Sequence, residues 1–205
     1  MNTKLKATIT SLQENSISRE RQEIIKPLIN FIQHKHIAKQ AIRLNFICTH
    51  NSRRSHLSQI WAQALAHYFG ITNITCYSGG TEATAVFPVV IDTLIDQGFE
   101  IQHLTEHDNP IYSMKYAKNE PAIIAFSKTY DNTFNPESEF AAILTCSQAD
   151  VGCPFIAGAE QRIPITYEDP KAFDNTPMQK EKYLERSLQI ASELFYVFSQ
   201  IKTND

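Results

Sequence analysis

The stretch FICTHNSRRSHLSQIWAQALAHYFG, residues 46–70, decides the fold and the chemistry together. An apolar run ends in Cys48, Arg53 and Arg54 follow within six positions, and Ser55 opens a helical pattern. Leu57, Ile60, Trp61, Ala64, Leu65 and Tyr68 recur at helical spacing, which predicts an amphipathic helix from Ser55 to Tyr68 with Gly70 as its stop. Before the loop, AIRLNFIC (41–48) reads as a buried strand. A strand that feeds a tight loop and then a helix N-terminus aims backbone N–H groups and the helix dipole at one spot. That spot favours an anion. Cys48 and Arg54 stand there in a C-x5-R arrangement. Arg54 can bind two oxygens of a tetrahedral oxyanion at once. The same field stabilises a thiolate, which makes Cys48 a candidate nucleophile. Ser55 is placed to donate to that sulfur, and Asn51 to brace the loop through its side-chain amide. Thr49, His50, Asn51, Ser52, Arg53, Arg54 and Ser55 form the candidate oxyanion-binding set. The competing reading is a buried structural cysteine with two surface arginines. C-x5-R alone is a weak pattern, and its place between strand and helix is what raises it.

Outward from this stretch, strands and helices alternate. Ile74 to Ser78 reads as a second strand, Val86 to Gln97 as a helix and Phe99 to His103 as a third strand. IYSMKYA and AIIAFSKTY, joined by KNEP, predict a β-hairpin around 111–130. Its rings, Tyr112, Tyr116, Phe126 and Tyr130, suit either a binding surface or packing against an N-terminal helix. FAAILTC (140–146) is a buried strand ending in Cys146, and a turn-rich loop from Ser147 to Asp169 follows. A long helix from Thr176 to Ile201 puts Leu184, Leu188, Ala191, Leu194, Phe195 and Phe198 on one face. Residues 1–40 are polar and helix-like, and Pro27 starts or kinks the helix that carries Ile24, Ile25, Leu28, Ile29 and Ile32. The alternation predicts an α/β fold, a doubly wound and mainly parallel sheet with flanking helices. Such sheets carry their sites at the carboxyl ends of the strands. Cys48 and Cys146 both fall at such ends.

The 205 residues, 42% of them hydrophobic, suit one compact domain. A net charge of −3 gives no argument for nucleic acid or an anionic membrane as partner. No apolar run nears the roughly 20 residues that cross a bilayer, and MNTKLKATITSLQENS lacks a secretory core. A cytoplasmic location is the expectation, where structural disulfides are rare. The four cysteines, Cys48, Cys76, Cys146 and Cys153, therefore call for burial, metal or chemistry. Cys76 lies inside a short apolar strand and reads as core. The seven histidines show no ligand pattern, and His56 and His67, on or beside the helix that follows the Cys48 loop, read as surface residues.

CTHNSRRS (48–55) resembles the active loop of the low-molecular-weight protein tyrosine phosphatase superfamily, which includes the phosphatases and the thioredoxin-coupled arsenate reductases. YSGG (77–80) resembles the turn after their second strand, and EDP (168–170) their Asp-Pro acid loop. The resemblance runs from about residue 42 to 202. It leaves residues 1–40 as an N-terminal helical extension beside a domain at 41–205, with the hairpin as an insertion. It implies Cys48 as nucleophile, Arg54 as oxyanion holder and Asp169 as general acid. LTCSQADVGCPF (144–155) is similar to the redox segment of the reductases, with Cys146 and Cys153 separated by six residues. That implies a three-thiol relay fed by a thioredoxin-like donor, with arsenate as the oxyanion and no cofactor or metal. A zinc half-site fits the C-x6-C spacing poorly.

Two positions depart from the family. His50 stands where the loop usually has glycine, a cost if that residue needs a positive φ. Arg53 stands where a cysteine usually precedes the arginine, and it reads as a solvent-facing residue. Three functions stay open: a reductase, a phosphatase using only Cys48, Arg54 and Asp169, and an oxyanion sensor whose loop His50 impairs.

Overall fold

The computed structural model describes residues 1–152 and 155–202. Four parallel strands form the central sheet in the order β2-β1-β6-β7. These are β1 (Ile42–Cys48), β2 (Ile74–Gly80), β6 (Phe140–Leu144) and β7 (Ala159–Pro164). β1 lies between two neighbours and is buried along almost its whole length, as its apolar run requires. The side-chain period of two then divides the sheet. Leu44 and Phe46 of β1 and Ala141 and Ile143 of β6 enter the main core, while Ile47, Ala142 and Leu144 enter a smaller cluster on the other face.

Helix α3 (Arg54–Tyr68) makes the crossover from β1 to β2 and is buried on nearly all sides, between the sheet and α6 (Gln179–Ser199). Its small residues Ala62, Ala64 and Ala66 permit that close packing. Trp61 lies at the centre: its indole N–H donates to Ser187 Oγ at 2.9 Å, and Ser187 donates to Gln97 Oε1 at 2.7 Å. This chain ties α3 to α6 and to α4 (Pro88–Gln97). Helix α4 starts with proline and ends at Gly98, whose φ of 106° only glycine adopts without strain.

The parallel sheet and its helices match the expected fold class, but several elements differ from the sequence reading. Strand β3 (Glu100–His103) leaves the parallel sheet. It pairs antiparallel with β4 (Tyr112–Lys115), which pairs with β5 (Ile123–Ala125) in a separate three-stranded sheet. The connection from β3 to β4 is short, and a short link cannot make a parallel crossover. The hairpin's rings pack on this side of the molecule: Tyr116 meets His67 of α3 at 5.4 Å, and Tyr112 stacks on His103 at 4.9 Å. The expected loop from Ser147 to Asp169 contains α5 (Ser147–Gly152) and strand β7. AEQRIP lacks an apolar run because β7 is the sheet's edge strand, and of its six residues only Ile163 is buried.

At the N-terminus, α1 (Thr3–Ser11) and α2 (Arg19–Ile37) place Leu5, Ile9, Ile25, Leu28 and Ile32 in the same core as the sheet. Pro27 neither starts nor ends α2 but lies inside it. Ile24 falls on the exposed side, as does Leu184 of α6, where Tyr183 and Ser187 take the buried positions instead.

Candidate functional site

All four carboxyl ends of the parallel strands meet at one edge. β1 ends at Cys48, β2 at Gly80, β6 just before Cys146, and the chain after β7 reaches Asp169. The loop from Thr49 to Arg53 is held there by its carbonyls. Cys48 O accepts from Thr81 N (3.1 Å), Thr49 O from Glu82 N (2.8 Å) and Ser52 O from Phe87 N (3.0 Å). His50 O accepts from the hydroxyls of Thr84 (3.1 Å) and Ser127 (3.0 Å). With its carbonyls directed into the protein, the loop leaves the N–H groups of Thr49 to Arg53 without a protein acceptor among the described residues. A cradle of this kind, ahead of a helix N-terminus, is an anion site.

Gly80 explains the YSGG turn. A Cβ there would stand 2.4 Å from Glu82 O and 2.7 Å from both Asn51 N and Thr49 O, so the loop lies directly on the glycine backbone. The positive φ falls on Asn51 at 42°, not on His50. Asparagine tolerates that region better than most residues, so the histidine does not carry the expected strain. Asn51 also braces the loop as its amide predicts. Nδ2 donates to Ser55 Oγ at 2.9 Å, and Oδ1 accepts from Lys128 N at 2.9 Å. Ser55 Oγ in turn lies 3.1 Å from Cys48 Sγ.

Arg54 is buried. Its Nη1 donates to Tyr167 O at 2.9 Å and its Nη2 to Asp169 Oδ2 at 2.5 Å, while Nε is buried with no protein partner. The structure therefore joins Asp169 to Arg54 although 115 positions separate them. Asp169 also caps the 3₁₀ turn Pro170–Phe173, accepting from Lys171 N at 3.0 Å, whereas Glu168 is exposed. A cleft of about 780 Å³ opens beside this pair, lined by His50, Arg54, Gln148, Tyr167, Asp169 and Arg186.

Cys146 is buried with Cys48 in the smaller apolar cluster. Its sulfur lies 3.4 Å from Thr49 Oγ1 and accepts from Ala149 N at 3.3 Å. Thr49 thus touches the second thiol while belonging to the loop of the first. Cys153 lies outside the described residues. Cys76 is core, as expected, and burial pushes its thiol pKa far up.

Two expectations fail for the same reason, burial by residues distant in sequence. Arg53 does not face solvent. It donates to Tyr183 Oη (2.6 Å) and Asp174 Oδ2 (2.7 Å), and its guanidinium lies 4.1 Å from the Phe87 ring centroid. His56 is not a surface residue but fully buried, with Nδ1 3.3 Å from Ser78 Oγ. Missed altogether were Ser127 and Lys128, which follow β5 at the end of the hairpin segment and hold the loop, and Arg186, a second guanidinium in the cleft. Nothing local in the sequence marks them. Among the described residues no three His, Cys, Asp or Glu side chains come together as a metal-holding group. No helix among them is long and apolar enough to cross a membrane.

Residues 43–126 match the family described as Low molecular weight phosphotyrosine protein phosphatase. Over 151 residues the chain is 28% identical to an arsenate reductase of Staphylococcus aureus, an alignment covering 73% of this chain and 92% of that one. Over 125 residues it is 26% identical to an Arsenate reductase 2 of Staphylococcus epidermidis, covering 61% and 76%. Its fold is similar to that of a YwlE mutant from Bacillus subtilis, with a TM-score of 0.52 and 13% identity over 80% of this chain and 100% of that one. It is similar also to a low molecular weight phosphotyrosine phosphatase from Vibrio cholerae, with a TM-score of 0.51 and 15% identity over 78% and 95%. The sequence match begins one residue into β1 and runs through the oxyanion loop and YSGG, so residues 43–126, which carry Cys48 and Arg54, are similar to the low molecular weight phosphotyrosine protein phosphatase family.

Proposed function

We propose that the protein reduces arsenate to arsenite through a thiol relay that ends on a thioredoxin-like dithiol. One observation carries the choice: Cys146, a second buried thiol, shares Thr49 with the loop of Cys48. A phosphatase does not use such a thiol. The similarity to staphylococcal arsenate reductases supports the same reading.

In the first step the Cys48 thiolate attacks arsenic and an S–As bond forms. One arsenate oxygen leaves as water after taking protons, one of them from Asp169, a carboxyl group close enough for general acid work. The loop N–H groups and Arg54 Nε and Nη2 hold the remaining oxygens, Nη2 exchanging Asp169 for substrate. In the second step the Cys146 thiolate attacks the Cys48 sulfur. The S–As electron pair passes to arsenic, which falls from the +5 to the +3 state and departs as arsenite, leaving a Cys48–Cys146 disulfide. Cys153 then attacks Cys146 and frees Cys48 as thiolate. The external dithiol reduces the Cys146–Cys153 bond and is itself oxidised.

The second reading, an aryl phosphatase, is favoured by the Arg54–Asp169 pair, which suits leaving-group protonation without any second thiol. Cys146→Ser separates the two. On the relay reading it abolishes multiple-turnover arsenite release with a thioredoxin donor and leaves aryl phosphate hydrolysis within about threefold of the parent. Undiminished arsenate turnover in this variant overturns the relay.

A further inference from the structure

We propose that Arg21, on the N-terminal helix α2, is a positioning residue for the loop that carries Asp169. The proposal rests on the reading of Asp169 as the proton donor. Asp169 is reached from β7 through Thr166, Tyr167 and Glu168. Two consecutive carbonyls of this stretch are each held by an arginine. Tyr167 O accepts from Arg54 Nη1 at 2.9 Å, and Thr166 O accepts from Arg21 Nη1 at 3.3 Å. One arginine belongs to the oxyanion loop. The other comes from a helix that precedes the family match altogether.

Arg21 is itself anchored. Its Nε donates to Glu193 Oε1 at 2.9 Å and its Nη2 to Glu193 Oε2 at 2.5 Å, a two-pronged pair with a carboxylate only 3% exposed on α6. Burial works against the Arg21 charge, but Glu193 outweighs it and holds the guanidinium above its ordinary pKa. Gln189, which lines the cleft beside Asp169, donates to the same Glu193 Oε1 at 3.2 Å. The buried Tyr167 ring lies 5.2 Å from the Arg21 guanidinium, and burial together with Glu193 pushes its phenol pKa far up. A pair that only pinned α2 onto α6 would need two of the three guanidinium nitrogens. The third nitrogen and the flat face are both spent on the acid loop. Lysine has neither the fork nor the face.

The test uses the full chain. Arg21→Gln alone leaves Glu193 buried without its partner, so the working variant is Arg21→Gln with Glu193→Gln, which removes both charges and keeps the shapes. Activity is measured on phenyl phosphate, whose leaving group needs a proton, and on p-nitrophenyl phosphate, whose leaving group does not. The expected result is about a tenfold or greater fall in kcat on phenyl phosphate and less than about threefold on p-nitrophenyl phosphate. In an Asp169→Asn background the same change costs nothing further, because the two act through one group. Arg21→Lys does not rescue. Equal losses on both esters, or full additivity with Asp169→Asn, overturn the proposal. If Asp169→Asn costs nothing on phenyl phosphate, the reading of Asp169 has failed; in that case, or if the parent hydrolyses neither ester, hydrogen exchange decides the positioning claim. The amides of Lys171 and Ala172, bonded to Asp169 Oδ1 and O, should exchange about tenfold faster in the double variant while β1 is unchanged. Unchanged exchange in that loop refutes it.

Discussion

Arg54 shows how one residue can carry a site. Its Nε has no protein partner and its Nη2 is shared with Asp169, so an incoming oxyanion meets a planar fork with one prong free. Arg54→Lys keeps the charge and loses the fork. Turnover should fall about a hundredfold or more while the thermal midpoint changes little, and a steady-state assay beside a melting curve checks both. His56, two residues further along α3, is a stability residue. Burial first, then the Lys128 charge, push its pKa down to about 3, with the Asn51 backbone contact working the other way. The unfolded chain takes up a proton near pH 6.5 that the folded chain refuses until about pH 3. Stability from this group is therefore complete above about pH 6.5 and lost as pH falls below it. At pH 5 the loss is about 2 kcal/mol. Denaturant unfolding at pH 7 and pH 5 should show that extra loss in the parent and not in His56→Gln. An equal loss in both would assign the pH dependence elsewhere.

Among the elements, the oxyanion loop depends on what lies beneath it. Gly80 ends β2 directly under the loop, and a methyl group there would meet backbone atoms at 2.4 to 2.7 Å. Backbone cannot rotate away as a side chain can. Gly80→Ala should cost about 1–3 kcal/mol of stability and weaken inorganic phosphate binding, both readable by calorimetry. Wild-type phosphate affinity in this variant would mean the loop tolerates displacement. Arg53 opens α3 without capping it and reaches to Asp174 and Tyr183. It joins the first turn of α3 to the segment after the acid loop and to α6, so the helix that presents Arg54 is fixed from outside as well as by its own strand. Arg53→Ala should destabilise by about 2 kcal/mol, since it removes charged hydrogen bonds beside a buried phenol.

Across the whole molecule, α1 and α2 belong to the main core. Leu5, Ile9, Leu28 and Ile32 are fully buried among residues of α4, α6 and the sheet. Arg21 and Lys35 add partly buried ion pairs to Glu193 and Glu160. Removing residues 1–38 would expose several large apolar side chains at once, each worth about 1.5–3 kcal/mol. That sum exceeds the stability of an ordinary domain. The truncated chain should be insoluble or unfolded by circular dichroism. A soluble, cooperatively melting truncation would show that the rest of the core suffices by itself.

What the sequence determined by itself is local and periodic. The apolar run 42–48, the helical spacing of Leu57, Ile60, Trp61 and Leu65, and the C-x5-R loop between them specify strand, loop and helix within one short segment. Backbone geometry and side-chain period act over a few residues and so can be read there. Ser55 and Asn51 were legible for the same reason: their partners are in the loop itself. Only the tertiary structure decided where Arg53 and His56 point, that β3 leaves the parallel sheet, and that β7 forms an edge strand without an apolar signature. It also brought Ser127, Lys128, Arg186 and Arg21 to the site. Burial and long-range hydrogen bonds are set by residues up to 177 positions apart, and no local pattern records which distant surface will cover a given side chain.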